Sequence, residues 1–143
     1  VHMLGTAATY PTYLIDDDEV SHRILSWLQV KDGVDGTLYW ITTVFQKTDG
    51  TPRNVWVDPI AYPNVNGDGY LLYPGTQYGI AGPIGTIRLG MIREGNEALE
   101  YFWLLLKNAA RQYGLSEEDN TTLVNDIINP IAVELTDWKR DPE

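Results

Sequence analysis

Apolar residues recur along this chain in two periods, and the changes between them mark its elements. Val20, Ile24, Leu25, Trp27 and Leu28 return every three or four positions, the spacing of one face of a helix. Asp16 to Asp18 start that helix: Asp16 can cap it, and Glu19 follows three residues later as in a capping box. Gly33 and the Asp35-Gly36 turn stop it. Residues 37–45 then run β-branched and aromatic, with apolar groups on both alternating faces. This pattern predicts a strand covered on both sides, as in a parallel sheet.

Residues 46–69 carry no such period and are rich in Asp, Asn, Pro and Gly, which predicts a long loop. A shorter strand follows over residues 70–73, then a second Gly/Pro loop over residues 74–85. From Thr86 the helical period resumes and runs to Tyr113, with a break expected near Gly95-Asn96. Gly114 ends that helix, and Ser116 caps another whose first turn holds Glu117, Glu118 and Asp119. Pro130 ends or kinks the last helix, and the tail is polar. The fold class expected is α/β, with few strands and long C-terminal helices.

Composition narrows the partners. Ten Lys and Arg against 20 Asp and Glu give a net charge of −10, which argues against a nucleic-acid partner, since phosphates call for a basic face. It argues equally against an anionic membrane surface, and no membrane-inserting segment is expected. With no cysteine there is no disulfide, thiolate metal site or Cys nucleophile. His22 has no second His beside it on its helix, so no zinc site and no cofactor is expected. Residues 1–3 read as a vector scar and residues 4–143 as a single domain.

Candidate chemistry gathers on the loops. Tyr39 and Trp40 offer aromatic surfaces for a sugar face, and strand alternation would send them to opposite sides, leaving one in a pocket. Trp56 with Asp58 pairs a ring for stacking with a carboxylate for hydroxyls; the plainer reading is a Trp that pins its loop to the body. Asn64-x-Asn66-x-Asp68-Gly69 opens like a calcium loop, but its twelfth position is Gly75, not a bidentate Glu. A turn at Asp68-Gly69 fits better, with Asn66 and Asp68 free to bond hydroxyls and Tyr73 at the strand end. Arg88, at a helix start, is expected to pair with Asp68 or Asp58.

The series Arg23-Ile24-Leu25-x-Trp27, Gly33-x-Asp35-Gly36-x-Leu38-Tyr39-Trp40, Asn66-Gly67-Asp68-Gly69, Leu72-Tyr73-Pro74-Gly75, Gly82-Pro83-Ile84 and Ile87-Arg88-Leu89 resembles glycoside hydrolase family 123, over roughly residues 11–106. The resemblance is to the last part of that family's catalytic (β/α)-barrel. It implies a partial barrel-like segment and a bacterial, often exported protein acting on terminal β-linked N-acetylgalactosamine. It implies a substrate-assisted mechanism, in which an Asp steadies the acetamide and an adjacent Glu is the acid/base. The family's Asp-Glu pair lies upstream of the matched segment. Asp18-Glu19 and Glu118-Asp119 read as helix starts.

The expected role is therefore the wall of a sugar pocket, built by Tyr39, Trp40, Trp56, Asp58, Asn66, Asp68, Tyr73 and Arg88, with no catalytic residue on this chain. The alternative is a non-catalytic carbohydrate-binding or cell-surface structural module. An extracellular or cell-surface location is expected, with the cytoplasm as the other option. A missing N-terminal barrel half or a homo-oligomer would cover sheet edges that a partial barrel leaves open.

Overall fold

A computed structural model describes residues 10–62 and 65–140. The expected vector scar and Asn64 lie outside these residues. The apolar period of the first helix becomes α1 (Glu19–Lys31), which begins at Asp18. Asp16 is not its cap, because its carboxylate is taken by the Asn66 amide at 2.8 and 3.0 Å. Gly33, at φ +62°, takes the left-handed conformation just past the helix end.

The second period becomes α2 (Ile87–Tyr113), which Thr86 caps by accepting from the Leu89 N–H. It runs unbroken through Gly95-Asn96 because α1 crosses there. A Cβ on Gly95 would sit 2.7 Å from Ser26 Oγ and 2.9 Å from the Arg23 carbonyl, so the missing side chain lets the helices approach. Ser26 Oγ also donates to Asn96 Oδ1 at 3.3 Å. The third helix, α3 (Glu117–Ile128), opens with a reciprocal capping box between Ser116 and Asp119.

The core lies among these helices. Ile24 and Leu28 of α1 meet Phe102 of α2, and Val124 and Ile128 of α3, with Trp27 edge-on to Phe102 at 5.5 Å. Each such buried side chain contributes on the order of 1.5–3 kcal/mol. The tail is not merely polar: Ala132–Glu134 pairs antiparallel with Asp137–Trp138, and Ala132 and Trp138 join the core. Lys31 at the end of α1 ties this hairpin down through Asn129 Oδ1 at 2.6 Å and the carbonyls of Ala132 and Val133.

The strands form three antiparallel pairs, and the described residues contain no parallel sheet and no closed barrel. In chain order they are β1 (Ile60–Tyr62) with β2 (Val65–Asn66), β3 (Leu72–Pro74) with β4 (Pro83–Gly85), and the C-terminal pair, β5 and β6. Helices and short strands agree with a piece of an α/β fold. The expected loop over residues 46–69 holds the first pair, and that over 74–85 holds β4 and a 3-10 turn at Thr76–Tyr78.

Residues 37–45 do not form the doubly covered strand that their pattern predicts. Backbone pairing is seen at its far end: Thr43 bridges Tyr70, Val44 N–H donates to the Gly69 carbonyl at 2.9 Å, and Thr42 accepts from Leu71 and Leu72. Upstream the chain bends at Trp40 and belongs to no strand, and Leu38 is 87% exposed. Among the described residues no helix is long and apolar enough to cross a membrane.

Candidate functional site

The loop that carries the site is Gly67-Asp68-Gly69. Both glycines have positive φ, +78° and +80°, which L side chains rarely adopt. Neither has room for a Cβ: at Gly67 it would lie 2.4 Å from Ile15, and at Gly69 2.6 Å from Val44. The loop is therefore pressed into the body, and Asp68 is left only 2% exposed.

A carboxylate so buried needs donors. Asp68 Oδ1 accepts from the Tyr39 hydroxyl at 3.1 Å and from Trp40 Nε1 at 3.0 Å. The Tyr39 oxygen in turn accepts from the Gly69 N–H at 2.7 Å. Tyr39 and Trp40 thus reach the same carboxylate. The strand alternation expected for them fails because residues 37–41 are not held in a ladder. Burial pushes the Tyr39 phenol up to about 12, with the neighbouring Asp68 charge acting the same way.

Arg88 holds the loop from beneath. Its Nη1 donates to the carbonyls of Gly67 at 2.8 Å and Tyr13 at 2.7 Å, and its Nη2 donates to that of Tyr70. The expected ion pair with Asp68 or Asp58 is not formed. A buried guanidinium, with five N–H donors in a fixed fork, is instead used on backbone acceptors that would otherwise be orphaned. Burial lowers the Arg88 pKa from its ordinary value.

The other expected residues have structural partners. The Asn66 amide is turned to Asp16 and Asp68 to the aromatic pair, so the two do not converge as calcium ligands would. Asp58 is paired with Arg53 at 3.0 Å. Trp56 pins its loop: its Nε1 donates to the Pro74 carbonyl at 3.1 Å, and its ring packs on Tyr73 at 4.6 Å and Tyr78 at 4.9 Å. Tyr70, fully buried, packs edge-on to Tyr73 at 5.9 Å and joins this second aromatic cluster to the Arg88 clamp.

A cleft of about 920 Å³ opens beside Tyr39, between the end of α1, the extended segment and one side of α2. Of the residues expected in the site, Tyr39 alone lines it. Leu71, Leu99 and Trp103 form much of its wall, with Asp35 and Glu100 among its polar members. Sequence reasoning missed Tyr13, which lines the cleft, meets Tyr39 edge-on at 5.4 Å and stacks on His22 at 6.2 Å. Its only signal was an aromatic residue ahead of the first helix. Leu99 and Trp103 were visible as helix positions, but their period could not say that they would face a cleft.

The Asp-Glu pairs sit where helix starts put them. Asp18 precedes α1 and meets Arg140 at 3.3 Å, and Asp119 accepts from the N–H of Ser116, the cap of α3. What the site can do is hold two aromatic rings rigidly, one bordering a cleft and one on the surface.

Among curated proteins no match is found. The family description "Glycoside hydrolase 123, catalytic domain" matches residues 3–105, which include the Asp68 loop, its Tyr39 and Trp40 partners and the Arg88 clamp. The chain belongs to the glycoside hydrolase family 123 catalytic domains.

Proposed function

We propose that this chain forms a late wall of an N-acetyl-β-hexosaminidase-type sugar pocket, with terminal N-acetylgalactosamine as the suspected ligand. The observation that carries this reading is the buried Asp68 carboxylate fixed between Tyr39 and Trp40. Rings locked by a hydrogen bond at their polar edge lose little freedom when a sugar stacks on them. Trp40 keeps 42% of its surface open to serve as that platform.

The chain supplies binding and not chemistry, because its Asp-Glu pairs stand exposed at helix starts. In the intact enzyme the acetamide-steadying Asp and the acid/base Glu come from elsewhere in the domain. The resemblance to often exported bacterial enzymes supports an extracellular or cell-surface location. A titration with N-acetylgalactosamine, followed by the Trp40 indole resonance, is expected to show saturable binding. The chain alone is expected to leave an aryl N-acetyl-β-galactosaminide intact. Turnover of that substrate would contradict the division of labour.

A further inference from the structure

Asn66-Gly67 is the single Asn-Gly dipeptide of the chain. Such a pair is chemically reactive, because a glycine has no side chain to shield its backbone nitrogen from the preceding carboxamide. In the fold both reacting groups are held. Asn66 Nδ2, the nitrogen that has to leave, donates to the two oxygens of Asp16 at 2.8 and 3.0 Å. The Gly67 N–H, whose proton has to be lost, donates to the Pro59 carbonyl at 2.8 Å. The Asn66 carbonyl accepts from the Ile15 N–H at 3.0 Å, so the peptide group joining the two residues is fixed at both ends. Asp16 is exposed and Asn66 half-buried, which puts the pair at the solvent edge of a buried loop.

We propose that Asn66-Gly67 is a deamidation site sealed by Asp16 and the Pro59 carbonyl, and that its reaction, once the seal opens locally, locks the Asp68 loop out of its seat. The Gly67 nitrogen attacks the side-chain carbonyl carbon of Asn66. The bond from that carbon to Nδ2 breaks, and ammonia leaves with the proton of the Gly67 nitrogen. Water then opens the five-membered succinimide at either carbonyl, giving aspartate or isoaspartate at position 66.

Neither product fits the closed loop. Aspartate sets a second carboxylate against Asp16, where the amide had donated two hydrogen bonds. Isoaspartate adds one atom to the backbone just before Gly67. That residue has no room to move: a Cβ there would lie 2.4 Å from Ile15 and 2.8 Å from Arg88 Nη1. The Gly67 carbonyl is one of the acceptors of the Arg88 clamp, at 2.8 Å, and Asp68 is the next residue along. Displacing Gly67 therefore loosens the carboxylate that holds Tyr39 and Trp40.

The test ages the full chain in mildly alkaline buffer and follows the amide-to-acid mass change at position 66 by peptide mapping. A synthetic peptide of residues 60–72 gives the unsealed rate. The folded chain is expected to react at least about tenfold more slowly than the peptide. Asp16→Ala removes one half of the seal at an exposed position and is expected to speed the folded chain about tenfold. In that variant the rate is expected to stay flat in urea below the unfolding transition, as local opening requires. Asn66→Gln, whose longer side chain does not close the five-membered ring, is expected to show no mass change at position 66. The reacted wild-type chain, separated by its extra negative charge, is expected to show a displaced Trp40 indole resonance and faster amide exchange at residues 67–70. The proposal is overturned if the folded chain reacts as fast as the peptide, or if Asp16→Ala reacts no faster than the wild type. It is equally overturned if the rate follows the unfolded fraction in urea, or if the reacted chain keeps the Trp40 resonance and amide protection of the unreacted one.

Discussion

At the helical end of the molecule, Ile24, Leu28, Phe102 and Ile128 meet side chain to side chain in one apolar cluster. At the loop end, Tyr39 and Trp40 donate to Asp68 and Arg88 donates to the Gly67 carbonyl, each hydrogen bond aimed at a single atom. The first arrangement is non-directional: it depends on how much apolar surface is covered and tolerates small shifts. The second is directional, and losing one partner leaves a buried donor or acceptor unsatisfied. The difference explains how an irregular loop can hold two aromatic rings as firmly as a strand would.

The sharpest way to break this comparison is to remove the clamp. Arg88→Met keeps much of the side-chain length but strands the carbonyls of Tyr13, Gly67 and Tyr70, and about 4 kcal/mol of stability is expected to go. Urea unfolding measures it; a loss below that of the core variant Leu28→Ala would mean that the loop leans on something other than Arg88. Leu28→Ala itself is expected to cost about 3 kcal/mol, by the cavity it leaves among Ile24, Phe102 and Ile128. It should not disturb the Trp40 indole resonance, which reports the other region.

A smaller effect separates the two regions by pH. Tyr39 and Tyr70 are both held up at about 12 by burial, against an ordinary value of 10.0. The folded state therefore keeps these protons more tightly than the unfolded chain does. Their contribution is whole below pH 10 and is lost as the pH rises through 12. Tyrosinate absorbance during an alkaline titration should show these two phenols ionising above the ordinary tyrosine value of 10.0. Early ionisation of Tyr39 would place its hydroxyl in water and not on Asp68.

The helical region could be read from the chain because each helix carries its own period, and Thr86, Gly114 and Ser116 stand where the pattern predicts; the cap expected at Asp16 does not form. The Asp68 turn was legible from Gly67 and Gly69 for the same local reason. Residues 37–45 misled because their composition records what a strand can bury and not whether a neighbour is there to pair with it. Arg88 misled because a buried guanidinium can be satisfied by carbonyls, and carbonyls leave no mark in a sequence. The pairing of Asp58 with Arg53, and of Asn66 with Asp16, depends on chain crossings that no local pattern encodes. The cleft beside Tyr39 was invisible for the same reason, since α1, α2 and the extended segment build it together.

The central claim is that Asp68 organises Tyr39 and Trp40 into the sugar-binding surface, and that the Trp56–Tyr73–Tyr78 cluster is structural. Titration of the isotopically labelled chain with N-acetylgalactosamine tests it most directly, with the indole N–H resonances of Trp40 and Trp56 as reporters. The account predicts a saturable shift at Trp40 and none at Trp56, and loss of the Trp40 shift in Asp68→Asn while the fold persists. A shift confined to Trp56, or a Trp40 response that survives Asp68→Asn unchanged, would contradict it.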